Sequence, residues 1–317
     1  MKVLVIGAGN MGLTYATGMS KSKLLKKRNI MVLDKSKEKL EEVDKIAYFD
    51  AIDKIEDCVP QADIIFLAVK PYHAEELFER MKKLVNPEQL FISIMAGVTI
   101  NYIQEALGIK KVVRAMPNLP AQVGKGLTSY VSAEEVSRLE LFMVEGLLDT
   151  TGKSLRVKNE KFIDASTGIS GSGPAYVFYF MQSMMEAALQ MGFSENVSKV
   201  LVSQTFTGAV ELFNQNNLNP DTWMEMVASK GGTTRAALDS MEDNNVGTNV
   251  MTNKDNRIVR PVLNSLVQQI AELYERDIMT ILVSSGSVIA GKEVLGKAKI
   301  KDKTQRRQVY SAIGQPR

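Results

Sequence analysis

Gly7-Ala8-Gly9-Asn10-Met11-Gly12 stands directly after an apolar run at 2–6 and opens a stretch of helical spacing at 11–25. Glycines there let the backbone turn tightly and approach a ligand closely, while the helix aims its free N–H groups at a pyrophosphate. Asp34 comes 22 residues after Gly12, at the end of the next apolar run, where a carboxylate accepts from a ribose hydroxyl. A glycine turn alone is a weak signal; in strand–turn–helix context, with an acid at this spacing, it predicts dinucleotide binding. Asp34 favours NADH, because a carboxylate repels a 2′-phosphate. Lys35, Ser36 and Lys37 beside it offer that phosphate a home instead. Both NADPH and NADH therefore stay open.

Two further apolar runs end in polar residues. Ala68-Val69-Lys70-Pro71 and Arg114-Ala115-Met116-Pro117-Asn118-Leu119-Pro120 each sit where an α/β sheet presents its ligand site. Lys70 is expected beside the cofactor, and Arg114 either attracts an anion or holds its loop. Two glycine loops at expected helix starts follow, Gly168-Ile169-Ser170-Gly171-Ser172-Gly173-Pro174-Ala175-Tyr176 and Ser229-Lys230-Gly231-Gly232-Thr233-Thr234. Unpaired N–H groups at such a helix start hold a carboxylate without a cationic side chain. Thr233 or Thr234 is equally suited to plain N-capping.

Composition narrows the chemistry. One histidine, His73, excludes a multi-histidine metal site, and no metal is expected. One cysteine, Cys58, excludes an internal disulfide and suits a reducing, cytoplasmic setting. No apolar run reaches the roughly 18–20 residues of a membrane span, and the opening residues are too glycine-rich for a secretory signal.

The elements that must position these residues follow from the apolar pattern. The chain has 317 residues, 45% of them hydrophobic, enough for two buried cores. Short apolar runs at 2–6, 30–33, 62–69, 90–94 and 111–115 alternate with helical stretches. That pattern predicts a doubly wound parallel sheet, extended by 125–131 and 154–157 around a helix at 134–148. From 161 the pattern is helical only, at 174–191, 195–214 and 221–228. Met181, Met184, Met185 and Met191 read as core or subunit interface rather than a metal box, and helices apolar nearly all round predict a homo-oligomer. Beyond 246 a helix at 262–275, a strand at 279–283 and a small-residue turn at 284–286 are expected. Residues 247–317 carry 12 Lys and Arg against 6 Asp and Glu. The excess, mostly Lys297 to Arg307 without interleaved aromatics, reads as a solvated helix face rather than a nucleic-acid site.

Taken in order, Gly7–Gly12, Val69-Lys70-Pro71, Arg114-Ala115-Met116-Pro117-Asn118, Ser170–Tyr176 and Gly231-Gly232-Thr233-Thr234 closely resemble the pyrroline-5-carboxylate reductases, from residue 1 to about 245. The resemblance implies an NAD(P)H-dependent oxidoreductase that reduces 1-pyrroline-5-carboxylate to proline. It implies a Rossmann domain (1–160) and an all-helical dimerisation and substrate domain (161–245), assembled at least as a homodimer. It implies Thr234 as the hydroxyl at the substrate's ring nitrogen, Gly231, Gly232, Thr233 and Thr234 as the carboxylate clamp, and Glu160 as a substrate contact. Gly7, Gly9, Asn10, Met11, Gly12, Ala68, Val69, Lys70 and Gly97 would line the cofactor, and the spacing adds Asp34 and Ser36 to the cofactor-binding residues.

Lys230 departs from the family's proline before the double glycine. From Val246 the chain resembles instead the opening of glutamate 5-kinase, through Val246-Gly247-Thr248-Asn249 and Leu282-Val283-Ser284-Ser285-Gly286, so 246–317 is expected as a partial amino-acid-kinase-like α/β fragment. Asn245 stands where that family's phosphate-binding lysine belongs, and kinase activity is not expected. Two other readings compete: an inactive fusion that still binds dinucleotide or oligomerises, and a two-domain hydroxyacid-type dehydrogenase. The second needs a base for its hydroxyl substrate, and Pro174-Ala175-Tyr176-Val177-Phe178-Tyr179 carries no lysine to supply it.

Overall fold

Most strands of the first half begin as short apolar runs that a turn residue stops. In the computed structural model, which describes residues 1–244 and 246 apart from 23, 27, 28, 46 and 47, these runs become one sheet. The order along the chain is β1 (Val3–Ile6), α1 (Asn10–Lys21), β2 (Ile30–Leu33), α2 (Lys37–Asp44), β3 (Asp50–Ile52), α3 (Ile55–Cys58) and β4 (Ile64–Leu67). Then come α4 (Ala74–Met81), β5 (Leu90–Ser93), α5 (Ile100–Leu107), β6 (Val112–Met116), β7 (Gly126–Ser132), α6 (Arg138–Leu148), β8 (Gly152–Arg156) and α7 (Glu160–Ser166).

The sheet order is β3-β2-β1-β4-β5-β6-β7-β8. Alternate residues of a strand face opposite sides, and both sides of β1 are buried. Leu4 and Ile6 pack with Leu77, Phe78 and Met81 of α4 and Ile100, Ile103 and Leu107 of α5. Val3 and Val5 pack with Tyr15, Ala16 and Met19 of α1 and Leu141, Val144 and Leu147 of α6. Helix ends are set locally: Thr99 caps α5, Gly108 in the left-handed region stops it, and Ser137 with Glu140 closes a capping box on α6.

Two features depart from the expected sheet, one in direction and one in strand number. β7 runs antiparallel to β6, with Arg114 opposite Val131, because the short segment between them has no room for a crossover helix. β3, three residues paired to β2 at the sheet edge, is an added strand.

The chain divides into two compact units after Pro174. The first keeps α7, whose Ile163 is fully buried in the sheet's core, so this division falls later than residue 160. The expected glycine loop at 168–173 is instead a π-helical turn, Thr167–Gly171, with Ser172 N donating to Thr167 O at 2.9 Å. It leads into α8 (Gly173–Gln190). The second unit continues with α9 (Glu195–Gln215), α10 (Pro220–Val227) and α11 (Thr233–Asp243). The expected elements at 262–275, 279–283 and 284–286 lie outside the described residues, as does the whole stretch beyond 246 for which a kinase-like fragment is expected.

Candidate active site

β1 lies between β2 and β4, so the strand order reverses between β1 and β4, and an α/β sheet binds its ligand in the crevice at such a point. Gly7 follows β1 there at φ +109°, a conformation only glycine adopts without strain. Its N–H donates to Leu33 O at 2.7 Å, and a Cβ on it would lie 2.8 Å from Ala68 O. Gly12 packs its backbone against Gly7 O and Ala68, leaving no space for a side chain. Gly9 is different: nothing lies within 4 Å of where its Cβ would be. It is the N-cap of α1, no side chain caps that helix, and its first turn holds no acid. Helix N–H groups without partners, at the positive end of the helix dipole, face open space: a cradle for an anion.

A cavity of about 810 Å³ opens over this turn. Gly7, Gly9, Asn10, Met11, Asp34, Ala68, Val69 and Lys70 line it, as the sequence predicts. Gly12, Ser36 and Gly97 are not part of that lining, although Gly97, at φ +74°, follows Ile94, Met95 and Ala96 that are. Sequence reasoning missed Tyr72, His73 and Arg80 in the wall. They come from the turn and helix after Lys70, so the Pro71 that follows a strand end is the signal that pointed to them.

Asp34 does not extend into the cavity as a free carboxylate. Oδ2 accepts from Ala8 N at 2.7 Å and Oδ1 from Ser36 N at 2.9 Å, with Lys39 Nζ 3.7 Å from Oδ2. Ser36 in turn caps α2 by accepting from Lys39 N.

Arg114 is 1% exposed at the end of β6. Nη1 donates to Glu160 Oε1 at 3.0 Å and Nη2 to Asp164 Oδ1 at 2.6 Å, both on α7. Glu160 Oε1 also accepts from Ile100 N at 3.0 Å, at the start of α5. Both guanidinium contacts thus go to carboxylates of α7, and no contact of the guanidinium with its own loop accompanies them among the described residues. Asn118 clamps similarly, donating from Nδ2 to Ser170 O at 3.0 Å and accepting at Oδ1 from Leu127 N at 2.9 Å.

In the second unit, Gly231 takes φ +73° and Gly232 becomes the N-cap of α11. No side chain caps this helix either, so Thr233 and Thr234 are its first two residues rather than its cap. Arg235 binds Glu225 at 2.6 Å and ties α11 to α10. Among the described residues no cluster of three or more His, Cys, Asp or Glu is placed to hold a metal, and no helix is long and apolar enough to cross a membrane.

Comparison with known proteins adds direct relatives. A family model described as pyrroline-5-carboxylate reductase dimerisation matches residues 160–257, running past residue 245. Another, described as NADP oxidoreductase, coenzyme F420-dependent, matches residues 2–97. Pyrroline-5-carboxylate reductase 2 of Bacillus subtilis is 33% identical over 76% of this chain and 87% of its own. The Aquifex aeolicus pyrroline-5-carboxylate reductase is 34% identical over 79% of this chain and 92% of its own. The crystal structure of Plasmodium falciparum pyrroline carboxylate reductase with NADP bound superposes with a TM-score of 0.73 at 30% identity, covering 86% of this chain and 97% of that one.

Proposed function

This chain belongs to the pyrroline-5-carboxylate reductase family, and we propose from that premise that the glycine-capped N-termini of α1 and α11 divide the work of binding. The enzyme reduces 1-pyrroline-5-carboxylate to L-proline with NAD(P)H. The open cradle at Gly9 fits a dinucleotide: the N–H groups of Asn10 and Met11 hold its pyrophosphate, while Gly7 and Gly12 bring strand and helix close behind. When bound, the cofactor supplies a hydride.

The bare N-terminus of α11, presented by Gly231 and Gly232, holds the substrate carboxylate. Thr234 places its hydroxyl at the ring nitrogen and keeps the proton there, so the imine carbon stays electrophilic. The product retains that proton on a secondary amine, and no side chain need remove one. What the chain adds is orientation and exclusion of water. Glu160 acts through the Arg114 clamp, fixing the start of α7 against α5.

The chain is a homo-oligomer, and the apolar helices α8 and α9 form its subunit interface in this reading. Phe178, Tyr179, Met191 and Val200 are 57%, 69%, 78% and 65% exposed in the single chain, too much apolar surface for water. Residues 246–317 receive no catalytic part in this reading, and the dimerisation model's match at 160–257 enters their first residues. The unpaired, buried Cys58 supports a cytoplasmic setting.

The observation that carries this reading is the pair of glycine N-caps, Gly9 and Gly232, with no side chain closing either helix. The test is to mix purified protein, reduced nicotinamide cofactor and pyrroline-5-carboxylate, and to follow cofactor absorbance and proline together. Thr234→Ala is expected to lower kcat/KM about 10²-fold, with Thr234→Ser recovering most of it. Full activity in Thr234→Ala would remove the hydroxyl from the mechanism.

A further inference from the structure

We propose that Asn118 is a positioning residue for hydride transfer: its amide supplies the hydrogen bond that Pro174 withholds from Ser170 O, and so sets the register in which α8 leaves the sheet-bearing unit. That role rests on the reading that puts the cofactor at the first glycine turn and the substrate carboxylate at α11.

α7, the Thr167–Gly171 turn and α8 follow one another with only Ser172 outside them. In a continuing α-helix the donor to Ser170 O is the N–H four residues on. That residue is Pro174, which has none. The carbonyl is answered from a distant part of the chain instead: Asn118 Nδ2 donates to it at 3.0 Å across 52 residues. Neighbouring carbonyls are satisfied locally. Thr167 Oγ1 donates to Ile163 O at 3.0 Å, Ser170 Oγ to Ser166 O at 2.9 Å and Ser172 Oγ to Thr167 O at 3.2 Å. All of these residues belong to the first unit.

Asn118 is itself fixed at its other end. Its Oδ1 accepts from Leu127 N of β7 at 2.9 Å, which settles which way round the amide lies. It stands two positions past β6, the strand whose Arg114 holds Glu160 and Asp164 of α7. The end of one strand thus grips the helical run both before the turn and within it. Gly168, Gly171 and Gly173 give the turn little helical preference of its own, so a bond from outside decides its register. A five-residue turn and a four-residue turn differ by one residue, about 100° of rotation in all that follows. α8 leads to the helices that end in Gly231–Thr234, and a displacement of about 1 Å where the imine carbon meets the hydride costs about 10²-fold in rate.

The experiment is steady-state imine reduction by the full chain, with the isotope effect of cofactor deuterated at the transferred position, cofactor titration and circular dichroism on each variant. Asn118→Asp keeps an acceptor for Leu127 N but offers Ser170 O no donor. It is expected to lower kcat about tenfold or more and to raise the isotope effect, with cofactor Kd held within about twofold. Asn118→Ala should behave alike. Pro174→Ala returns the missing N–H, and added to Asn118→Ala it should recover most of kcat. Wild-type kcat in Asn118→Asp, a loss that falls on cofactor Kd instead, or no recovery in the double variant would overturn the proposal and leave imine reduction standing. Loss of the fold in both Asn118 variants would do the same, by making the bond a requirement of folding. No imine reduction by the unaltered enzyme would overturn the reading beneath it, and this with it.

Discussion

Arg114 and Glu160 meet at 3.0 Å with the guanidinium almost wholly out of water, and the same carboxylate oxygen accepts the Ile100 N–H. One oxygen thus joins a strand end, a helix start and the helix that leads to the second unit. Arg114 Nε, also buried, has no partner among the described residues, so the guanidinium depends on its two acid contacts. Arg114→Met is expected to cost about 1–3 kcal/mol, read as a lower urea midpoint. Glu160→Gln, which can still accept from Ile100, should cost less and leave kcat near wild type. A large loss of kcat/KM at unchanged stability in Glu160→Gln would instead place that carboxylate on the substrate.

Gly7 and Gly9 stand two residues apart and should fail differently. Gly7→Ala forces a side chain into φ +109° and against Ala68 O, at about 1–3 kcal/mol for the backbone alone. Gly9→Ala meets nothing in the protein, and its φ of −79° suits any residue, so stability should stay within about 0.5 kcal/mol. Cofactor titration should nonetheless show the loss in Gly9→Ala, because its methyl occupies the cradle.

Alkaline pH should expose two buried acids in turn. Burial pushes the Cys58 thiol from 9.0 up to about 11 and the Tyr15 phenol from 10.0 up to about 12. Folding favours the protonated form of each. Their stabilisation is whole below 9.0 and 10.0 respectively, and is lost as pH climbs through about 11 and about 12. Tyr15 contributes about 2–3 kcal/mol over its window, and Cys58, screened more by solvent, contributes less. Tyr130, raised by burial and by its bond to Glu145, deepens the same decline. Chemical denaturation across pH should show a plateau to about pH 9 and then a fall. Cys58→Ala should delay its onset, and Tyr15→Phe should flatten its upper part.

A charge on the exposed apolar helices should separate subunits. Phe178→Asp on α8, or Val200→Asp on α9, is expected to shift light scattering to a lighter species and to abolish proline formation. The sheet's circular dichroism should persist. An unchanged mass would place the interface elsewhere.

The buried strands were legible because burial on both faces leaves no polar residue to break the run: Val3–Ile6 and Ile64–Leu67 are buried at every position. β3 escaped because an edge strand of three residues, with Asp50 exposed, carries no such run. The direction of β7 escaped because an apolar run is the same read either way. The Thr167–Gly171 turn looked like a loop because Gly168, Gly171 and Gly173 are poor helix formers, yet hydrogen bonds five residues apart carry the helix through.

The candidate site divides along similar lines. Gly7, Gly9 and Asp34 were found by spacing, since the turn between strand and helix fixes both the interval and the residue type. The partners of Asp34 were not, because a backbone N–H from Ala8 leaves no trace in residue identity. His73 and Arg80 were hidden for another reason: one sits in a short turn without periodicity and the other on the open side of α4, whose pattern reports only its buried face.

In the second unit, Ala188, Ser198 and Val202 are the buried side chains among the described residues from 175 on. Helices with so little interior of their own owe their shape to mass action. Dilution should act on them as a denaturant while leaving the eight-stranded sheet intact, since that sheet carries its core within one chain. Active enzyme would then vanish from dilute solution at a concentration set by subunit affinity, with half of each molecule still folded.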